Sequence, residues 1–283
     1  MARRPTPTIR RWQLGQELRR LREQAGVTPT EAARYLEVSQ ATLSKIESGK
    51  QQIKPLYVKL LASLYGVPDD ANNELLQAAA EANQPEWYVA LASQVPKWFR
   101  QYLGYEGAAA MISTYSVELI DGLLQTEEYA RAVGLANQPD ASGRDLDAYV
   151  ALRRARQARV DGDDPPMLHA VLNEASLRTL VGGPEVMRDQ LRRLAEVADQ
   201  PHVTIQVLPF NAGAHPAMTS PFTLLGFDID EMATVYLENG RGAVYLDAPS
   251  DLDRYRWMFD RLTTLALPPA NSIDLLSTLV DDL

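Results

Sequence analysis

The chain has no cysteine, only three histidines and five lysines, and no long apolar run. The first absence excludes disulfides, thiolate metal sites and thiol nucleophiles. His169, His202 and His215 lie too far apart to carry metal-ligand spacing, so each is expected to be structural and no metal is expected. No stretch reaches the roughly 18 apolar residues of a membrane-spanning helix. The N-terminal segment is basic but has no apolar stretch behind it, so it is not read as a secretory signal. A cytoplasmic protein without membrane association is the expectation. Neither a Gly-x-Ser-x-Gly elbow nor a glycine-rich phosphate loop is present. The sequence therefore offers no catalytic residue and no cofactor site, and an enzyme is not expected.

What is present is divided unevenly. A chain of 283 residues suggests two domains. The net charge of −9 argues against a protein that coats nucleic acid. Yet residues 1–66 hold 12 lysines and arginines against 5 acids, a balance of +7, and the remainder holds 16 against 32, a balance of −16. A basic head on an acidic body points to nucleic-acid chemistry at the head.

The head reads as five short helices. Leu14, Leu18, Leu21 and Ala25 share one helical face, and Gly26 ends it. Thr28-Pro29-Thr30-Glu31 combines an N-cap, a proline at the first position and a capping-box acid. Glu37-Val38 makes a tight turn, Ser39 caps a third helix from Gln40 to Ser48, and Gly49 closes it. Pro55 opens a fourth, with Leu56, Leu60, Leu61 and Leu64 expected inward, and a fifth covers 72–82. Two short helices joined by a tight turn are a helix-turn-helix. Helix starts at Thr28 and Ser39 would present backbone N–H groups to phosphates, with Thr42, Lys50 and Lys54 as further phosphate contacts. Arg3, Arg4, Arg10 and Arg11 form a basic arm over residues 1–12, either a solvated tail or a segment that follows the DNA backbone or enters a minor groove.

The stretch from Thr28 to Lys50, above all Ser39-Gln40-Ala41-Thr42-Leu43-Ser44-Lys45-Ile46-Glu47-Ser48-Gly49-Lys50, resembles the XRE (phage-repressor-like) helix-turn-helix family. Glu37 stands where that family usually has glycine. The resemblance implies double-stranded operator DNA as partner, with the third helix in the major groove. It implies that Gln40, Ala41, Ser44 and Lys45 read bases: Gln40 an adenine, Lys45 a guanine, Ala41 a thymine methyl. It also implies that Glu47 pairs with an arginine of the first helix, here Arg22.

Residues 83–96 read as a linker and 97–283 as a larger α+β domain. In the latter, 97–117 reads as one helix on Trp98, Tyr102, Tyr105, Ala109 and Ile112. Strands are expected near 168–172, 203–209, 222–227, 234–238 and 243–246, the last two joined by an Asn-Gly hairpin turn. They come without βαβ regularity. Arg153, Arg154, Arg156 and Arg159 form a candidate anion site, weighed against a solvated face or internal ion pairs. Glu174 and Glu238 are candidate acids, more simply capping or solvated carboxylates. The segments 121–132, the Arg153–Arg159 cluster, 173–177, 182–188 and 203–213 resemble, in order, the C-terminal domain of unknown function attached to XRE heads in many actinomycete regulators. That family often has aspartate where this chain has Asn173, and mostly proline where it has Asp121. Its members often have a small companion protein encoded nearby.

The principal expectation is a homodimeric, sequence-specific transcription regulator. Its all-α, phage-repressor-like domain (residues 13–82) binds DNA, and its α+β domain dimerises and senses a small-molecule effector or companion protein. The alternatives are a DNA-tethered nucleotide-handling enzyme and an antitoxin-like regulator paired with a small protein.

Overall fold

A computed structural model of the chain describes residues 6–91, 95–229 and 232–283. By internal packing the chain divides into two compact units, the first ending at Ala90 and the second beginning at Leu91.

The first unit is all-α: α1 (Pro7–Gln24), α2 (Pro29–Tyr35), α3 (Gln40–Glu47), α4 (Pro55–Leu64) and α5 (Asp69–Ala82). Local chemistry sets most of these bounds. Thr28 and Glu31 form the full capping box of α2, and the Ser39 hydroxyl accepts the Thr42 N–H at the start of α3. Gly26 and Gly49 leave their helices in the left-handed region, at φ of 67° and 69°. The core is built on Leu18, Ala33, Leu43, Ile46, Leu61 and Ala79. The small Ala32 and Ala33 are buried, as a close helix crossing requires.

Three expectations in this unit are corrected. Helix α1 begins at Pro7, because the Thr6 hydroxyl caps it. Residues 7–12 are thus helix and not arm: Arg10 pairs with Glu81, and Arg11 donates to Glu86 at 2.9 Å. Arg3 and Arg4 lie outside the described residues. Glu86, expected in the linker, is buried and also accepts the Thr8 hydroxyl. Leu56, expected inward, is 61% exposed, because the buried stripe of α4 runs through Val58, Leu61 and Ala62.

The second unit is α+β, built on one six-stranded mixed sheet. Its elements are α6 (Lys97–Ala108), β1 (Met111–Ser116), α7 (Glu127–Asn137), α8 (Gly143–Gln157), β2 (Met167–Asn173), α9 (Glu174–Arg178), α10 (Pro184–Ala198), β3 (Val203–Leu208), β4 (Phe222–Gly226), β5 (Ala233–Asn239), β6 (Gly242–Leu246), α11 (Pro249–Leu265) and α12 (Pro269–Asp281). The sheet order is β3-β2-β1-β4-β5-β6. Strands β1, β2 and β3 run parallel, with α7–α8 and α9–α10 as their crossovers, whereas β4, β5 and β6 form an antiparallel meander beside β1. The expected lack of βαβ regularity therefore describes only the second half of the sheet.

The single helix expected over 97–117 is also corrected. The chain leaves α6 at Ala109, which takes extended angles, and Met111–Ser116 becomes β1, an interior strand of the sheet. Covered on both faces, β1 is buried from Ile112 to Ser116 and shows no alternation. Helical spacing happens to continue through Ile112, which hides the change of period.

Candidate nucleic-acid interface

In the first unit α2 and α3 meet across a turn at Leu36–Ser39. The turn places Glu37 at a φ of 56°, in the left-handed region where glycine is favoured. Forcing a β-carbon there costs about 1–2 kcal/mol. The turn keeps its shape because both neighbours are fixed: Leu36 is buried, and Ser39 caps α3.

The buried side of α3 is Leu43, Ile46 and Glu47. Its opposite side carries Gln40, Ala41, Ser44 and Lys45, all exposed. Glu47 accepts two bonds from Arg22, Nε to Oε1 at 2.7 Å and Nη2 to Oε2 at 3.1 Å. The same guanidinium donates to the Val27 carbonyl at 3.0 Å. Its proton is held more tightly than usual, chiefly through the bond to Glu47. The end of α3 is thus pinned to α1. Two glycines make the close approach possible. A β-carbon at Gly15 would lie 2.6 Å from the Ile46 and Glu47 carbonyl oxygens, and one at Gly49 would lie 2.5 Å from the Trp12 Cα. Sequence reasoning saw Gly49 only as a helix terminator and missed Gly15. A lone glycine between Leu14 and Leu18 was the available signal.

The two helix starts differ. At α2 the Glu31 carboxylate already accepts the Thr28 N–H at 2.8 Å and its hydroxyl at 2.7 Å. The chain's own acid sits at that end, bonded to the same Thr28 groups that were expected to meet a phosphate. The first turn of α3 holds no acid. Ser39 and Thr42 hydroxyls lie 2.9 Å apart there, leaving the positive end of the helix open to an anion. Lys50 and Lys54 are exposed on the segment between α3 and α4.

In the second unit the four candidate arginines are engaged within the chain, and two of them, Arg153 and Arg156, close together on Gly122. Arg156 is buried and donates twice to buried Glu106, at 2.7 and 2.6 Å, with its guanidinium over Phe99 and Tyr102. Burial alone would weaken its charge, but Glu106 more than offsets that and raises its proton affinity. Arg154 pairs with Glu127 at 2.9 Å, and Arg153 donates to the Tyr149 hydroxyl at 2.6 Å. Arg159 donates to the carbonyls of Gly107, Ala109 and Asp164. Arg154 ties α8 to α7 and Arg156 ties it to α6, whereas Arg153 bonds within α8 and Arg159 lies just past its end.

The candidate acids are likewise engaged. Glu174 accepts from Arg178 at 2.7 Å and from the Phe210 N–H at 2.9 Å, and Glu238 accepts from the Tyr236 hydroxyl at 2.6 Å. Each histidine has its own partner: His169 with Gln206, His202 with the Val160 carbonyl, His215 with the Tyr115 hydroxyl. Among the described residues no three His, Asp or Glu side chains gather as a metal site, and no helix is long and apolar enough to cross a membrane.

This geometry defines a helix-turn-helix domain, and residues 13–75 match the family of that description. The domain suggests a DNA-binding regulator. Residues 99–278, well over half the chain, match the domain of unknown function DUF5753, and the chain belongs to that family. No curated protein and no solved structure matches it.

Proposed function

We propose that this protein is a sequence-specific transcription regulator of the XRE, actinomycete type, acting as a homodimer in the cytoplasm. The carrying observation is the exposed face Gln40, Ala41, Ser44 and Lys45 on a helix whose other face is pinned by Arg22–Glu47. In this reading α3 enters the major groove. Gln40 bonds adenine, Lys45 approaches guanine, Ala41 meets a thymine methyl and Ser44 lies among them. Ser39, Thr42, Lys50 and Lys54 hold phosphates. A two-fold dimer sets the heads on half-sites about 34–36 Å apart. The second unit dimerises and senses an effector or companion protein, and it does no catalysis. The engagement of Glu174 and Glu238 supports that last point.

The test is a binding titration on the protein's own promoter at several salt concentrations. Lys45→Ala should relax base preference at one position of each half-site. Lys50→Ala should weaken binding to all sequences and reduce the salt slope by about 1. Wild-type behaviour of both variants would sink the docking scheme.

A further inference from the structure

Helix α11 differs from the body that carries it. Residues 67–283 hold a net −16, so two copies of that body repel each other. Helix α11 holds three arginines against three aspartates and is neutral. Its inner side, Leu252, Met258, Phe259 and Leu262, belongs to the core around Phe222 and Val235. Its opposite side carries Asp253, Arg254, Trp257, Asp260, Arg261 and Thr264, all exposed. Trp257 is 51% exposed, although a ring of that size gains much from burial.

The exposed face is divided lengthwise by charge. Each residue turns the helix by about 100°. With Trp257 on the mid-line, Arg254 and Arg261 fall about 60° and 40° to one side, and Asp253 and Asp260 about 40° and 60° to the other. Arg254 is held over the Trp257 ring, 4.7 Å from its centroid, and Asp253 accepts from Arg256 behind it at 3.5 Å. Among the described residues no ion pair within the chain takes the Arg261 or the Asp260 side chain.

Such a face is complementary to itself in one orientation. A second α11 laid against it and running the same way has its sides exchanged, so each arginine edge meets an aspartate edge. Arg254 then faces Asp253 of the second copy, Arg261 faces its Asp260, and each pair occurs twice. Turned end for end, the second helix would set arginine on arginine and aspartate on aspartate. The mid-line residues meet their own counterparts. Trp257 packs on Trp257 at the axis. Thr264, whose hydroxyl already donates to the Asp260 carbonyl, enters the contact without an unpaired group. A nucleic acid or an acidic segment would meet the aspartate edge, and a basic segment the arginine edge, so the whole face fits a second copy of this chain.

We propose that the exposed face of α11 is the homodimer contact of this protein: two copies pack it parallel about a two-fold axis along the helices, with Trp257 at its centre. The inference rests on the dimer reading above and names its surface.

The test uses the full chain, in sedimentation over a concentration series. Trp257→Ala should weaken the dimer roughly a hundredfold while the melting temperature of the dilute chain stays unchanged, since this side chain lies outside its own core. Arg261→Asp should weaken the dimer about tenfold, and adding Asp260→Arg should restore it. The absence of native cysteine lets single cysteines report the orientation. In parallel helices with axes about 10 Å apart, the two Thr264 Cα atoms come within about 5–6 Å, inside the disulfide range. Turned end for end, they would lie about 20 Å apart. Thr264→Cys should therefore form a covalent dimer as the main product of mild oxidation. Ser277→Cys, on the exposed side of α12, should form roughly tenfold less. A dimer whose affinity ignores Trp257→Ala, or in which Thr264→Cys cross-links no better than Ser277→Cys, overturns the assignment to α11 and leaves the dimer reading standing. A chain that stays monomeric with and without its promoter DNA overturns both.

Discussion

Both units hold a buried arginine–glutamate pair, and the two are placed to different ends. Arg22–Glu47 joins α1 to the last turn of α3, so it fixes the angle at which the exposed face of α3 is presented. Arg156–Glu106 joins α8 to α6 within the second unit, with side chains 6% and 2% exposed against 7% and 9% for the first pair. It is also enclosed by rings: the guanidinium lies 5.3 Å from the Phe99 centroid and 5.4 Å from that of Tyr102. Burial, then the neighbouring Glu106, pushes the Tyr102 hydroxyl well above its usual range. The same ionic geometry thus fixes an exposed helix face in one place and staples a core in another. Neither pair is a ligand site, because each charge is consumed by its partner.

The largest expected effect breaks the deeper pair. Arg156→Ala or Glu106→Ala leaves one charge buried without its counter-ion and should destabilise the second unit by about 3–5 kcal/mol. Replacing both by apolar residues of similar volume should recover most of that loss, measured by denaturant unfolding. If the single and double variants are equally unstable, the staple reading fails. Next comes Arg22→Ala, with an expected loss of about 3 kcal/mol in the first unit. Unlike Arg156→Ala, it should also weaken DNA binding at temperatures where the domain remains folded. A binding curve that tracks only the folded fraction would erase the distinction between the two pairs.

A pH series sharpens the comparison from the other side. Burial, partly countered by the Gln206 bond, lowers the proton affinity of His169 on β2. A histidine depressed in the folded state contributes stability in full above its unfolded value near 6.5. That contribution declines as pH falls below this value toward the lower folded one. The second unit should therefore soften on mild acidification, and His169→Gln should flatten the melting temperature against pH. A softening unchanged in that variant would assign it elsewhere. The smallest effect concerns the turn. Glu37→Gly relieves a left-handed β-carbon and should stabilise the first unit by about 1 kcal/mol. An unchanged or lower stability would mean that the Glu37 side chain offsets the strain.

The first unit was largely legible because its signals are local. Thr28 with Glu31, Ser39, Gly26 and Gly49 each act within one helical turn, and the apolar spacing of Leu14, Leu18, Leu43 and Ile46 matches what is buried. Glu47 was assigned to Arg22 through family resemblance, and the bond is there. Misreadings arose where a partner distant in sequence intervened. Glu86 captures Arg11 and Thr8 and turns an expected arm into helix. Glu106 and three carbonyls engage two of the four arginines, the internal pairing that was weighed against a candidate anion site. Strand β1 was read as helix because the apolar spacing of α6 carries on by coincidence to Ile112. Only pairing with β2 and β4 makes Met111–Ser116 a strand.

By itself, then, the sequence determined a basic helix-turn-helix head with its caps and its outward residues, and an acidic body of mixed helix and strand. Capping, turn chemistry and amphipathic spacing depend on residues a few positions apart, so they can be read along the chain. Tertiary structure alone decided the strand order, the fate of the buried charges and which strands end the sheet. Those depend on residues 50 to 100 positions apart, as in Arg156–Glu106 and Tyr115–His215. Their meeting is set by the packing of whole elements, which no local pattern encodes.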